Sequence, residues 1–346
     1  MARTTKVLVV DDSAFAVASI TRQLEAAPDI KVIGTARNGR EAVEKAKALA
    51  PDVITMDVVM PEMDGLGALE HIMAERPTAV LMLSALTREN AQSTIRALEL
   101  GAVDFLLKSP AVLSGNNGSV LAEKIRAVVR ASLRPAKPTT VKAERRDEKT
   151  PEPRPRPSVD RVVIIGTSTG GPRALMQLVP GLPADFPAGV LVVQHMPAMF
   201  TRSLAERLDE ASQLRVAEAA EGDAITSGKV LIAPGDYHMT VGEAGKIALD
   251  QGPRVHGVRP AVDVTMRSVA EAYGPAVTGV VLTGMGSDGT EGAGRIKAAG
   301  GTVIAESEST CAIYGMPQSV VKAGYADRSL PLPEIAAELV LACGGN

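Results

Sequence analysis

The chain has few aromatic residues and few cysteines. Its 346 residues include four phenylalanines, four tyrosines and no tryptophan, so aliphatic residues and methionine must fill most of the interior. The two cysteines, Cys311 and Cys343, do not have the spacing of metal ligands. We therefore expect both to be small buried apolar residues, in a protein of the reducing cytosol.

The sequence also lacks a strong charge of either sign and a long apolar run. The formal net charge is −3, and no basic block favours nucleic acid or an anionic membrane surface as a partner. No run approaches the ~20 apolar residues that span a bilayer, and the apolar run at 7–10 is too short for a signal sequence. We expect a cytoplasmic, monomeric protein that binds no nucleic acid and does not insert into membranes.

Residues 133–160 differ in composition from the rest of the chain. Proline and charged residues dominate this segment and apolar residues nearly vanish, so burial cannot offset the entropy that ordering would cost. At 346 residues the chain is also longer than a usual single domain. We predict two domains, 1–132 and 161–346, joined by a flexible proline-rich linker over 133–160.

Short apolar runs alternate with amphipathic helical stretches on both sides of this linker. Such alternation is typical of parallel sheets that are covered by helices. We predict two doubly wound α/β domains, a flavodoxin-like one followed by a Rossmann-like one that includes a small β-hairpin at 237–249. The candidate strands are 6–10, 30–36, 53–56, 79–83 and 103–106 in the first domain, and 162–165, 190–193, 230–233, 278–282 and 302–305 in the second.

Polar residues follow successive strands of the first predicted sheet, and strand polarity brings them to one edge. Three of them, Asp11, Asp12 and Asp57, are carboxylates that would repel one another without a hard divalent cation. Oxygen-only ligation of this kind suits Mg²⁺. A carboxylate beside Mg²⁺ can attack a phosphoryl group, while Lys108 offsets charge on the oxygens and Ser84 can hydrogen-bond to them.

Three segments of this first domain resemble a response-regulator receiver domain, and the likeness covers roughly residues 4–132. They are VLVVDDS at 7–13, VITMDVVMPEMDG at 53–65 and FLLKSP at 105–110, in which Ser109 interrupts the usual Lys-Pro pair. The resemblance implies a histidine kinase as phosphodonor. It also implies these roles: Asp57 as phosphoacceptor, Asp11 and Asp12 as Mg²⁺ ligands, Ser84 as switch hydroxyl, Lys108 as phosphate partner, and Phe105 as aromatic switch.

A serine and a histidine follow two neighbouring strands of the second predicted sheet. The segment 166–170 around Ser168 fits the G-x-S-x-G pattern of a tight strand-to-helix turn, and Pro172 suits the first turn of the helix that would follow. Serine is a poor nucleophile until a base removes its proton, and His195 is the nearest credible base. We interpret the other histidines as structural: His71, His238 and His256.

A serine–histidine pair also needs an acid that orients the imidazole and balances its charge. The best candidate is Asp288, in a glycine-rich turn after another apolar run. The spacing fits an ordinary N-cap of the following helix equally well. Two backbone amides are candidate donors to an oxyanion, that of Thr169 at the helix start and that of Met285 in the glycine-rich turn.

Five separated segments of the second domain resemble the effector domain of chemotaxis protein-glutamate methylesterases. They are IGTSTGGP at 165–172, VQHMP at 193–197, LIAPG at 231–235, RPAVDV at 259–264 and LTGMGSDG at 282–289. The resemblance implies a triad of Ser168, His195 and Asp288 that demethylates glutamate esters of chemoreceptors and deamidates their glutamines without a cofactor. With the receiver in front, we expect phosphorylation of Asp57 to relieve a block of this site.

The glycine-rich segment 166–171 is also compatible with a nucleotide-binding loop. However, the third glycine of a G-x-G-x-x-G motif is misplaced, and the next strand ends in Gln194-His195, where an acidic residue would meet a ribose. A DNA-binding output is disfavoured because the second half lacks a basic helix-turn-helix pattern. These features favour a serine hydrolase over both alternatives.

Overall fold

The computed structural model describes residues 4–109, 112, 118–132, 159–242 and 245–344. Its internal contacts divide the chain into two compact units, Met1–Pro135 and Ala136–Asn346. The predicted linker at 133–160 lies outside the described residues, except for its last two positions.

The first unit is a five-stranded, all-parallel sheet with helices between its strands, in the order β2-β1-β3-β4-β5. Strands β3 and β4 are buried along their whole length, as a parallel sheet that is covered on both faces requires. The elements are β1 (Thr5–Val10), α1 (Ala14–Glu25), β2 (Ile30–Ala36), α2 (Gly39–Leu49), β3 (Val53–Asp57), α3 (Gly65–Glu75), β4 (Ala79–Ser84), α4 (Arg88–Leu100), β5 (Asp104–Leu107) and α5 (Gly118–Ser132).

The second unit contains a seven-stranded, all-parallel sheet in the order β14-β13-β12-β6-β7-β9-β8, and a separate antiparallel hairpin of β10 and β11. The elements are β6 (Val162–Thr167), α6 (Gly171–Leu178), β7 (Gly189–Gln194), α7 (Phe200–Ala211), β8 (Arg215–Glu218), β9 (Lys229–Ile232), β10 (His238–Val241), β11 (Ile247–Asp250), α8 (Val262–Tyr273), β12 (Val277–Val281), α9 (Thr290–Ala298), β13 (Thr302–Glu306), α10 (Met316–Lys322), β14 (Arg328–Leu330) and α11 (Leu332–Ala342).

The direction in which successive strands are added reverses between β1 and β3 in the first sheet and between β6 and β12 in the second. In open α/β sheets, a crevice forms at this reversal outside the carboxyl ends of the strands, and ligands bind there. Asp11 and Asp57 lie at the reversal of the first sheet. Ser168 and Asp288 lie in the loops that follow β6 and β12 at the reversal of the second.

The predicted fold class is confirmed: both units are doubly wound parallel sheets, and the small hairpin is present. Each predicted strand exists, with bounds shifted by no more than two residues. The prediction omitted β8, β14 and α10, three short elements. Among the described residues, no helix is long and apolar enough to cross a membrane.

Candidate functional site

Ser168 lies in a tight turn between β6 and α6. Its amide donates to the Thr283 carbonyl at 3.1 Å, and its own carbonyl accepts from the Gly171 amide at 2.8 Å. Gly170 has a φ of +81°, and a Cβ there would be 2.6 Å from the Cβ of Ala312, so glycine is needed at this position. Helix α6 begins directly after the turn, with Pro172 in its first turn as predicted.

His195 follows the adjacent strand, so its backbone is a neighbour of the Ser168 turn. Thr167 and Gln194 are paired where β6 and β7 end, and the His195 amide donates to the Thr167 carbonyl at 3.2 Å. The buried side-chain amide of Gln194 donates to the carbonyls of both Ser168 and His195, at 3.1 Å each. This amide therefore links the two segments that carry the candidate nucleophile and base.

The imidazole of His195 binds Asp288, as the sequence predicted. The distance between His195 Nε2 and Asp288 Oδ2 is 2.7 Å, and the side chains are only 11% and 3% exposed. A carboxylate is an acceptor only, so Nε2 carries the proton and Nδ1 is left as the acceptor of the neutral ring. The carboxylate thus fixes one tautomer of His195.

Backbone amides hold the Asp288 carboxylate in place. Its Oδ2 accepts from Val262 N at 2.7 Å, and its Oδ1 accepts from Asp263 N at 2.9 Å and Gly289 N at 3.0 Å. Burial alone would raise the pKa of Asp288, but the hydrogen bonds from His195 and these amides outweigh burial and lower it. The residue at the N-cap of α9 is Gly289, so the alternative in which Asp288 caps its own helix is wrong. Asp288 binds the start of α8 instead.

The serine half of the arrangement is less tightly connected than the histidine half. In the described part of the chain, no hydrogen bond joins Ser168 Oγ to the His195 ring. The turn that contains Met285 packs directly against the serine, because a Cβ on Gly284 would be 2.9 Å from Ser168 Cβ. Hydrogen bonds between catalytic groups are often long without substrate and shorten when it binds.

The glycine-rich turn that contains Met285 is held by the segment before α10. Gly284 N donates to the Ile313 carbonyl at 3.0 Å, while Gly315 N and Met316 N donate to the Gly284 carbonyl at 3.1 and 2.9 Å. Within the described ranges, the Met285 amide donates to no protein group. It is therefore available to a ligand beside Ser168.

Sequence reasoning missed a buried network behind this turn. Thr283 Oγ1 donates to the Thr169 carbonyl at 3.0 Å, and Thr283 N donates to Glu306 Oε2 at 2.8 Å. Glu306 is fully buried at the end of β13, and burial raises the pKa of its carboxyl group. The sequence does contain a feature that could have predicted this residue, because Glu306 is a carboxylate at the end of an apolar strand.

The acidic pocket of the first unit contains a lysine between two aspartates. Lys108 Nζ lies 2.6 Å from Asp11 Oδ2 and 2.7 Å from Asp57 Oδ2, and Val58 N donates to Asp57 Oδ1 at 2.8 Å. Burial raises the pKa of Asp57 although Lys108 opposes this shift. Burial acts to lower the pKa of Lys108, but both carboxylates outweigh it and raise that pKa.

The other predicted residues of this pocket surround the same edge. Carboxylate oxygens of Asp11, Asp12 and Asp57 lie within 4.8 Å of one another, and a set of oxygen donors at this spacing fits Mg²⁺. Ser84 is buried, and its hydroxyl accepts from Thr94 Oγ1 at 2.9 Å. The Phe105 side chain is also buried.

Two protein-family models match the chain, one in each unit. The CheB methylesterase model matches residues 163–339, and the response regulator receiver domain model matches residues 7–113. A protein-glutamate methylesterase/protein-glutamine glutaminase of Symbiobacterium thermophilum is 51% identical over 99% of this chain and 98% of that protein. The chain belongs to the CheB methylesterase family.

Other members of this family agree over the same length. A Thermotoga maritima protein of the same description is 47% identical over 98% of this chain and 99% of its own length. The crystal structure of the T. maritima CheB methylesterase catalytic domain superposes with a TM-score of 0.51 and 50% identity, over 52% of this chain and 97% of that one. Both family resemblances stated from the sequence are thereby confirmed.

Proposed function

We propose that this chain is a serine hydrolase that removes methyl groups from glutamate γ-methyl esters of chemoreceptors and deamidates their glutamines. The observation that carries the proposal is the 2.7 Å bond between His195 and Asp288, with His195 next to Ser168 at the ends of paired strands. The names of the relatives supply protein-bound glutamate esters and glutamines as substrates, and the resemblance to chemotaxis methylesterases supplies the chemoreceptors.

In the first half of the reaction, Ser168 Oγ attacks the γ-carbonyl carbon while His195 Nδ1 takes its proton. Asp288 stabilises the imidazolium that forms. The amides of Met285 and Thr169 donate to the oxyanion, and each such donor contributes about 10²–10³ in rate. The tetrahedral intermediate collapses to an acyl-serine as the imidazolium gives its proton to the leaving methanol or ammonia.

In the second half, water attacks the acyl-serine and His195 takes its proton. Collapse of this second intermediate returns the proton to Ser168 Oγ and releases the glutamate side chain. Ser168 supplies the nucleophile, the His195 ring acts as base and then as acid, and Asp288 orients and stabilises that ring, so the proposed hydrolysis needs no cofactor. It does require Ser168 Oγ to come within hydrogen-bonding distance of His195 Nδ1 when substrate binds.

The receiver unit supplies the proposed control. Asp57 is the phosphoacceptor, a histidine kinase is the phosphodonor, and Asp11, Asp12 and Asp57 hold Mg²⁺, which neutralises charge on the phosphoryl oxygens when bound. Lys108 already contacts two of these carboxylates. Transfer to Asp57 adds oxygens to which the Ser84 hydroxyl can donate in place of the Ala85 carbonyl, its acceptor at 3.3 Å, with Phe105 following the same movement. With these partners, we also propose a cytoplasmic location for the activity.

Methanol release from methylated chemoreceptor membranes tests the esterase proposal. The full-length chain should release methanol, and a small phosphodonor with Mg²⁺ should increase the rate. Ser168→Ala should lower turnover by about 10⁶, whereas Ser287→Ala, an exposed hydroxyl in the Asp288 turn, should leave it unchanged.

The same assay separates the nucleophile from the receiver. Asp57→Asn should abolish the response to the phosphodonor without reducing the basal rate, with Glu44→Gln on the exposed part of α2 as control. A Ser168→Ala variant that keeps most of the activity would remove Ser168 from the mechanism. An Asp57→Asn variant that still responds would remove Asp57 from the control.

A further inference from the structure

A second histidine–aspartate pair lies against the acid of the proposed triad. His256 Nε2 is 2.8 Å from Asp263 Oδ2 and 4.0 Å from Asp288 Oδ1. The backbone amide of Asp263 donates to Asp288 Oδ1. The side chains of His195, Asp288, Asp263 and His256 therefore form one continuous cluster, which we call the His–Asp–Asp–His cluster.

The backbone at His256 is held in an unusual conformation. Val255 and Val258 exchange two backbone hydrogen bonds, at 3.1 and 3.0 Å, so His256 and Gly257 form the two-residue loop of a tight hairpin. Their φ values are +52° and +77°, and asparagine is the usual residue at the first position of such a loop. Left-handed backbone at a residue other than glycine is uncommon, and it is found where neighbouring structure enforces it. Here it places the imidazole on Asp263.

The two carboxylates of the cluster are both buried but are not equally supported. Asp288 receives three backbone amides and the His195 ring. Asp263 receives one backbone amide, from Gly292 at 2.7 Å, and the ring of His256. Burial and the neighbouring Asp288 charge raise the pKa of Asp263, while His256 opposes this. His256 is thus the side chain that compensates the second carboxylate.

The lysine and arginine side chains on and near helices α8 and α9 do not neutralise the charge of Asp263 or Asp288. Within the ranges that the structure describes, no lysine or arginine forms an ion pair with Asp263 or Asp288, and this includes Arg267, one turn further along α8. On α9, Arg295 lies 3.9 Å from Glu291, and both are exposed. Arg259, before α8, binds Asp236 at 2.8 Å.

We propose that Asp263 and His256 are positioning residues that balance the charge around Asp288 and so adjust the basicity of His195. The inference rests on the proposed function and deepens it. The Asp263 carboxylate adds a second negative charge that favours the imidazolium of His195, and the His256 ring, which hydrogen-bonds to that carboxylate at 2.8 Å, offsets part of the charge. The two residues therefore act on His195 with opposite signs, which neither would do if it served only to hold the hairpin.

The test compares the full-length chain with Asp263→Asn and His256→Gln in two measurements. One is the pH dependence of kcat/KM for methanol release, and the other is NMR titration of the four imidazoles of the chain. Asp263→Asn should move the acid limb and the His195 titration to lower pH by about half to one unit, and His256→Gln should move both to higher pH by a similar amount. His71→Gln, on the exposed part of α3 beside Glu75, should change neither.

The outcomes separate this inference from the proposed function. Two results would overturn the role of Asp263 and His256 and leave the triad intact. In the first, the acid limb and the His195 titration are the same in wild type and in both variants. In the second, Asp263→Asn and His256→Gln shift them in the same direction. If the wild-type chain shows no hydrolysis that depends on Ser168, the proposed function is wrong. The NMR titration of His195 would still test the role of Asp263 and His256 in that case. If buried Asp263→Asn does not fold, His256→Gln decides the matter, because His256 is 45% exposed.

Discussion

The carboxylate of Asp288 has three roles, and the side-chain amide of an asparagine could not fill all of them. It accepts from the His195 ring and from the two amides at the start of α8, and it carries the charge that balances an imidazolium. Asp288→Asn keeps the shape but removes the charge, and its NH₂ group favours the wrong tautomer of His195. We expect kcat for methanol release to fall by about 10³–10⁴, with a smaller change in KM.

The control for Asp288→Asn is Glu210→Gln on α7, where the carboxylate forms an exposed pair with Arg207. The control should retain wild-type kcat. Circular dichroism measures the fraction of folded protein. If the loss of kcat in Asp288→Asn parallels a loss of folded protein, the role of Asp288 is to hold the start of α8, and a role in catalysis is contradicted.

At the scale of single residues, the sequence was informative where a reactive side chain directly follows an apolar strand. Strand polarity predicted that Ser168 and His195 would lie at one edge of the sheet, and the resemblance to chemotaxis methylesterases added Asp288, whose spacing alone fitted an N-cap equally well. The structure brings His195 and Asp288 into contact. Partners that depend on loop geometry were not predictable. His256 was interpreted as structural, because nothing in its spacing shows that a tight hairpin turns its ring onto Asp263.

Among the elements, the segment before α10 supports the proposed oxyanion donor at Met285. Gly315 has room for hydrogen only: a Cβ there would lie 2.7 Å from the Gly284 carbonyl and 3.2 Å from Gly286 N. Gly315→Ala must therefore displace the Met285 turn. We expect a loss of about 1–3 kcal/mol in stability and a fall in kcat of about 10²–10³ from the lost donor, with little change in KM.

Gly324→Ala is the matched control for this change. It is strained by its φ of +76°, but a Cβ there meets no atom within 4 Å, so it should cost stability without moving the Met285 turn. If the two variants lose kcat equally, the loss comes from stability rather than from the turn.

The buried Glu306 connects the end of β13 to the turn after β12, and it gives stability a dependence on pH. Its pKa is raised in the folded chain, so the folded state binds the proton more tightly than the unfolded chain. Stability therefore falls as pH rises above about 4.5, the usual pKa of glutamate, until the folded pKa is reached. In the wild-type chain Thr283 N and Thr310 Oγ1 both donate to the Glu306 carboxylate. Glu306→Gln imitates the protonated form: its oxygen accepts from Thr283 N, and its NH₂ group donates to a Thr310 hydroxyl that turns to accept.

We expect the free energy of unfolding of Glu306→Gln to increase relative to that of wild type between pH 5 and pH 8, because wild type loses stability over this range and the variant does not. Denaturant titrations at the two values measure this difference. A gap that is constant with pH would show that Glu306 titrates alike in both states and would contradict the effect of burial.

The elements that the sequence did not predict share a physical cause. Strands β8 and β14 are short edge strands of four and three residues, and each pairs with a single neighbour, β9 and β13 respectively. Their pairing depends on backbone hydrogen bonds rather than on an apolar pattern. Helix α10 is seven residues long with a proline at its start, too short for a helical period to be visible.

On the scale of the whole molecule, the same topological position is used twice. Each unit places its reactive side chains where the strand order reverses, Asp57 with Asp11 in one sheet and Ser168 with Asp288 in the other. Both crevices also bring buried carboxylates together, and each is compensated by a side chain of the same unit, Lys108 in one and His195 in the other. The side chains that meet at each of these sites come from a single unit.

Because Ser168, His195 and Asp288 all belong to the second unit, removal of the receiver tests the proposed control and leaves the triad side chains in place. A fragment that lacks residues 1–150 should fold, since the catalytic domain of the T. maritima relative has been crystallised by itself. We expect its basal methanol release to exceed that of the unphosphorylated full-length chain by about 5- to 150-fold, the range that coupling free energies of about 1–3 kcal/mol produce. It should no longer respond to a phosphodonor.

The control is the same fragment with Ser168→Ala, which should be inactive. If the fragment is active but no faster than the full-length chain, inhibition by the receiver is contradicted and the triad is unaffected.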